Sequence, residues 1–143
     1  LQSHPFSLAK GDRARIVIAA ILAMEPEIII FDEPTTGQDY KGACSILDIT
    51  RKLHEAGKTI IVITHHLYLM SNYAERVILM KEGKIILDTS INEAYHDLEL
   101  LKSTYLFPPQ AVFLMQEINR NIDNKYLALT PDEIVDCFNY HEI

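Results

Sequence analysis

Residues 28–33 read Ile-Ile-Ile-Phe-Asp-Glu, and no other segment limits the possible fold as much. A short apolar run rich in β-branched residues predicts a strand buried on both faces, as in a parallel sheet. The run delivers two carboxylates, Asp32 and Glu33, at its carboxyl end. In open α/β sheets that edge is where ligands sit. Residues 34–37 predict a turn, and residues 39–55 a helix with Ile46, Leu47, Ile49 and Leu53 inward. Gly57 is its stop signal. Residues 59–64, Thr-Ile-Ile-Val-Ile-Thr, predict a second buried strand. Strand, helix, strand and helix in alternation give an α/β fold with a parallel sheet covered on both faces.

Upstream, a helix starting near residues 8–10 runs to Met24, with Pro26 just past its end. Downstream, a short helix is expected over 67–73. Strands over 76–81 and 84–88 flank a Glu82-Gly83 hairpin turn and add antiparallel edge strands. Residues 91–101 read as helical, and Pro108-Pro109 marks a boundary. Helices over 110–121 and 131–140 come after it, the second capped by Thr130 with Pro131 in its first position. Met24, Met70, Met80 and Met115 are expected as core filler. The Tyr and Phe residues over 95–113 are expected to pack the tail onto the main body or a partner.

With 143 residues and 48% hydrophobic content, the chain can bury a sizeable core and is not wholly disordered. The formal charge of -7 gives no general pull on nucleic acid, so none is expected as a partner. Cys44 and Cys137 lie far apart without CxxC spacing, which fits a reducing compartment rather than a disulfide framework or zinc site. The longest apolar run, 16–24, is shorter than the roughly 20 residues of a spanning helix. The chain opens at Leu1, close to a motif, and reads as a fragment of a longer protein.

Adjacent strand residues point to opposite sides, so Asp32 and Glu33 can take different tasks. One can hold Mg2+ through water, an ion that takes few carboxylates and several waters. The other can orient a nucleophilic water. The plain alternative is two solvated acids ending a strand. His65 at the end of the next strand can contact a phosphate or polarise water; the alternative is an ordinary surface histidine. The segment 7–15 leads into the first helix, where backbone N–H groups make an anion site and Lys10 adds charge. Its alternative is a plain helix start with solvated Arg13 and Arg15.

Taken in order, these segments resemble the carboxyl-terminal half of an ABC-family ATPase subunit. Leu8-Ala9-Lys10-Gly11-Asp12 matches the position of the family's Leu-Ser-Gly-Gly-Gln signature. Arg15 and the apolar residues after it match the arginine and apolar helix that come next in the family. Residues 28–33 resemble the Walker B strand, Thr36-Gly37-Gln38-Asp39 the D-loop, and Thr64-His65 the switch histidine. The resemblance covers roughly residues 5–94. It implies a partial P-loop NTPase domain of ABC type over residues 1–97, followed by a helical extension over 98–143 that helps dimerisation. It implies ATP and Mg2+ as cofactors, with Asp32 in the metal shell, Glu33 as general base and His65 on the γ-phosphate. Asp39 would lie at a dimer interface, and Leu8, Ala9, Lys10, Gly11 and Asp12 would act in trans on ATP held by a second ATPase subunit. A transmembrane transporter subunit would be the other partner, with the chain peripheral on the cytoplasmic face of the membrane.

Residues 5–8, 10–13 and 34–39, and the tail with Leu129-Thr130-Pro131-Asp132-Glu133, further resemble ATPases of energy-coupling-factor importers, which take up vitamins or transition-metal ions. Two departures stand out. The signature serine is Ala9 here, and the loss of one hydrogen bond to a charged group costs about 1.5–3 kcal/mol. The sequence has no GxxxxGK[ST] loop: Gly37 and Gly42 have the spacing, but Ala43-Cys44 comes after them. That loop and the glutamine loop are expected upstream in the intact protein, and the isolated fragment is expected to be inactive and marginally stable. The main alternative is a non-catalytic, degenerate ABC subunit or a dimerisation module. The intact Asp32-Glu33 pair and His65 favour the ATPase. A third reading, an ABC ATPase acting on DNA, is opposed by the acidic balance, the hairpin and the helical tail.

Overall fold

The computed structural model describes residues 10–121, 126 and 128–139. The chain divides into two compact units, one ending at His65 and one starting at His66. In the first unit, α1 (Lys10–Leu22) precedes β1 (Ile28–Asp32), α2 (Tyr40–Glu55) and β2 (Thr59–Ile63). The strands β1 and β2 pair in parallel, Ile30 opposite Ile61 and Asp32 opposite Ile63. A parallel pair needs a crossover, and α2 provides it.

Local chemistry fixes both ends of α2. Asp39 caps its start, its Oδ1 accepting from the Gly42 N–H at 2.8 Å. At the other end Gly57 adopts φ +86°, its N–H donates to His54 O, and the Lys58 N–H donates to Leu53 O. This paired arrangement is a Schellman stop, for which glycine is the residue without steric cost. Between the ends, Ala43, Ile46, Leu47 and Thr50 are buried, and α2 packs against β2.

The strands depart from expectation. Neither is buried on both faces. Ile29 and Phe31 are buried, whereas Ile28, Ile30, Ile61 and Ile63 form a face 45–61% exposed. Residues 28–31 and 60–63 are all apolar, so the pattern announces a strand without saying which side is covered. Helix α1 stands off β1: a cavity of about 290 Å3 lies between Val17, Ile18 and Ile21 of the helix and Ile30 and Phe31 of the strand. The expected cover on both faces is therefore replaced by one packed side and one open side.

The second unit opens with a 3₁₀ segment, Leu67–Asn72, followed by β3 (Arg76–Lys81), β4 (Lys84–Ser90), α3 (Ile91–Ala94), α4 (Leu98–Ser103), α5 (Gln110–Asn119) and α6 (Pro131–Asn139). Glu82 and Gly83 take φ +51° and +74°, as a tight two-residue hairpin requires. The hairpin forms its own two-stranded sheet and is not an edge of the parallel one. The expected helix over 91–101 is broken. Ser90 and Glu93 close a capping box on α3, and Asp97 caps α4 through the Leu100 N–H. Between them Tyr95 is fully buried and donates its hydroxyl to Leu67 O at 2.8 Å; its backbone is still helical, and the path breaks at Asp97, whose ψ is 72°. Thr130 caps α6 and Pro131 begins it, as expected; Tyr140 lies outside the described residues. Met70 and Met115 are buried, but Met24 and Met80 are exposed, so only two of the four methionines fill core. Tyr105 and Phe107 are exposed as well. No helix among the described residues is long and apolar enough to cross a membrane.

Candidate functional site

The parallel register brings the carboxyl ends of β1 and β2 side by side. Asp32 ends β1 on the exposed isoleucine face, and its carboxylate is accessible. Glu33 continues the ladder by one bond, its N–H donating to Ile63 O at 2.9 Å. Its backbone then turns to φ +45°, a left-handed conformation uncommon for a residue with a side chain. The two acids thus separate because the chain bends between them, in addition to the strand alternation read from sequence.

The Glu33 carboxylate is held from two sides. Oε1 lies 2.7 Å from His65 Nδ1 and accepts from the His65 N–H at 3.2 Å. Oε2 accepts from Thr36 Oγ1 at 3.0 Å. The bond with the His65 ring is the main cause that holds the Glu33 carboxyl below its usual value; partial burial opposes it, and the Thr36 hydroxyl adds to it. Glu33 is therefore ionised at neutral pH and oriented. The ring of His65 is itself exposed.

Thr36, Gly37, Gln38 and Asp39 form the turn between β1 and α2. The Thr36 N–H donates to Glu33 O and the Gln38 N–H to Thr35 O, both at 3.2 Å. The turn thus carries Thr36 to Glu33 at one end and the Asp39 cap at the other. Sequence reasoning placed Thr36 here without its contact to Glu33. A hydroxyl three residues after an acid, across a proline, was the available signal.

Gly11 and Asp12 lie in the first turn of α1. Leu8 and Ala9 lie outside the described residues, as does the segment before them; of Lys10 the backbone alone is described. Arg15 pairs with Asp12 at 3.3 Å and donates from Nη2 to Ser45 Oγ of α2 at 2.8 Å. Arg15 is therefore bound across to the next helix, although its side chain stays about half exposed. Among carboxylates here, Asp32 suits Mg2+, being one accessible oxygen donor with room for the waters that ion retains. Glu33, whose oxygens are both engaged, suits it less.

No protein-family model matches the chain. A Methanosarcina acetivorans protein assigned to the ABC transporter ATP-binding class is 45% identical over 117 residues, spanning 82% of this chain and 19% of that protein. The energy-coupling factor transporter ATP-binding protein EcfA2 of Mycoplasmopsis synoviae is 40% identical over 139 residues, spanning 97% of this chain and 45% of that protein. The chain thus spans from about a fifth to less than half of these relatives. Among solved structures, cbiO1 from Clostridium perfringens, part of the ABC transporter complex cbiONQ, superposes with a TM-score of 0.62 at 34% identity over 78% of this chain and 45% of that one. The ATP-binding cassette MJ0796, solved as a dimer in a post-hydrolysis state with ADP and Pi, gives a TM-score of 0.54 at 35% identity over 61% of this chain and 38% of that one. The chain is accordingly a homologue of ABC transporter ATP-binding proteins, energy-coupling-factor ATP-binding proteins among them, and carries part of their P-loop NTPase fold.

Proposed function

We propose that the chain supplies the hydrolytic half of an ATPase subunit that powers import of a vitamin or metal ion through a transporter of the energy-coupling-factor type. The observation that carries this reading is the Glu33–His65 pair at the ends of two neighbouring parallel strands.

In this reading Glu33 orients the attacking water against the γ-phosphate. A carboxylate held below its usual pKa is a weak base, so it acts by accepting a hydrogen bond and fixing the direction of attack. Phosphoryl transfer passes through a loose transition state, in which positioning and charge stabilisation count for most. His65 fixes Glu33 through its ring and backbone and contacts the γ-phosphate. Asp32 belongs to the shell of a Mg2+ ion, which when bound neutralises phosphate charge. Residues 8–12 press on ATP held by a second ATPase subunit, and Asp39 stands at that interface. Residues 1–97 form the ATPase portion and 98–143 a helical extension that helps pair the subunits. The assembly sits peripherally on the cytoplasmic face of the membrane, against a transmembrane subunit.

A second reading, a non-catalytic partner subunit, draws on Ala9 in place of the signature serine and on the lack of GxxxxGK[ST] in these residues. One measurement separates the two: phosphate release from Mg-ATP by the full-length protein and by its Glu33→Gln variant. Release that the substitution abolishes supports the first reading. No release by the parent, or release unchanged by the substitution, supports the second.

A further inference from the structure

The contacts that hold the Glu33 carboxylate are divided unequally between its two oxygens. Oε1 takes both contacts with His65, to the backbone N–H at 3.2 Å and to the ring Nδ1 at 2.7 Å. Oε2 takes the Thr36 hydroxyl at 3.0 Å. An ionised carboxylate only accepts, and its two oxygens offer about four lone-pair sites. His65 thus fills Oε1, while Oε2 has room for a further donor beside Thr36. The terminal torsion of a glutamate is broad, so anchors on Oε1 alone would let Oε2 swing about it. The Thr36 hydroxyl opposes that swing.

The turn after β1 prepares Thr36 for this contact. The Thr36 N–H donates to Glu33 O at 3.2 Å, so its backbone and its hydroxyl both bind the same residue. Pro34 lies inside the loop that these bonds close, and its ring fixes one backbone torsion there. The branched Cβ of Thr36 restricts its χ1 as well.

We propose that Thr36 is a positioning residue: by holding Oε2 of Glu33 it fixes the plane of the carboxylate and makes Oε2 the oxygen that accepts the hydrogen bond of the attacking water. The task given to Oε2 rests on the ATPase reading; the setting of the carboxylate by Thr36 does not. His65 supplies the anchor and Thr36 the direction. In-line attack depends on direction, so loss of the hydroxyl acts on turnover rather than on nucleotide binding.

The experiment has two readouts on the full-length protein and its Thr36→Val and Thr36→Ser variants. Valine keeps the branched shape without the hydroxyl, and serine keeps the hydroxyl. The first readout is the crystal structure of each. The parent and Thr36→Ser are expected to keep Oε2 within hydrogen-bond distance of the hydroxyl, and Thr36→Val to show Oε2 turned away. A carboxylate in Thr36→Val that superposes on the parent's overturns the proposal, whatever the ATPase does. The second readout is steady-state turnover. Thr36→Val is expected to lower kcat by about ten-fold or more at unchanged KM for Mg-ATP, since displacement by about 1 Å can cost up to a hundred-fold. Thr36→Ser is expected to recover it. Added to Glu33→Gln, Thr36→Val is expected to cost little more, because both substitutions act through one carboxylate. Parental kcat in Thr36→Val with Glu33→Gln inactive overturns the catalytic role of Thr36. So does a full further loss on top of Glu33→Gln, or a raised KM at parental kcat, either of which would mean that Thr36 acts apart from Glu33. No release by the parent, or release retained in Glu33→Gln, overturns the ATPase reading and the task of Oε2 with it, and the crystal structures still decide whether Thr36 sets the carboxylate.

Discussion

Glu33 Oε1 lies 2.7 Å from His65 Nδ1, although 32 residues separate the two in the chain. The contact depends on the register that sets Asp32 opposite Ile63, because each partner comes within two residues of its strand's end. The isoleucines that pair the strands therefore also aim the two polar groups.

Replacing Glu33 by Gln keeps the side-chain length and removes the ionised oxygen. In the full-length protein, ATP binding is expected to persist while phosphate release falls by about 10²–10⁴-fold, the usual range for a positioned acid–base group. Filter binding of nucleotide and a phosphate-release assay read the two quantities separately.

The Glu33 carboxyl is held below its usual value chiefly by the His65 ring, so the folded state binds its proton less readily than the unfolded chain does. Its contribution to stability is complete at neutral pH and above the unfolded pKa. It is lost as pH falls through that value, about 4.5, and on through the lower folded one. Urea midpoints taken from pH 7 down to pH 3 should fall more for the parent than for Glu33→Gln. Parallel curves would show that the pair adds nothing to stability.

The buried Tyr95 hydroxyl, whose pKa burial pushes up to about 12, remains a donor throughout the physiological range. Tyr95→Phe leaves Leu67 O without that donor and is expected to destabilise by about 1–2 kcal/mol. Tyr95→Ala should lose about 3–5 kcal/mol, as for other large aromatic truncations. Denaturant titration of the two variants measures both.

At Gly57 an added methyl group meets nothing within 4 Å, yet φ is +86°. Gly57→Ala is therefore expected to cost about 1 kcal/mol through backbone conformation alone, and Gly57→Asn less, since asparagine tolerates that region. Thermal unfolding of both variants provides the check, and equal loss would point to a packing effect.

If residues 8–12 act as proposed, Ala9→Ser supplies the hydroxyl that the signature carries in the resembled family. It is expected to raise the ATPase rate of the full-length protein or leave it unchanged. A clear fall in steady-state turnover would mean that Ala9 and Lys10 form a working signature of their own.

The order of elements around the site was legible because strong local signals mark it: the β-branched runs, Gly57 and the Glu82-Gly83 turn. Features that depend on a distant partner stayed hidden. An all-apolar strand does not reveal that Ile30 faces out and Phe31 faces in. The hydroxyl of the buried Tyr95 finds its acceptor in a carbonyl 28 residues earlier. The pairing of Glu33 with His65 was expected only as proximity of two strand ends; Thr36 as a third member was not expected.

The left-handed backbone at Glu33 has an evolutionary consequence. Glycine and asparagine adopt that conformation with less strain than glutamate does. Random substitution at this position therefore meets a slope toward a more relaxed chain that lacks the carboxylate. A lineage kept only for its fold would be free to slide down that slope, whereas one kept for turnover is penalised at the first step.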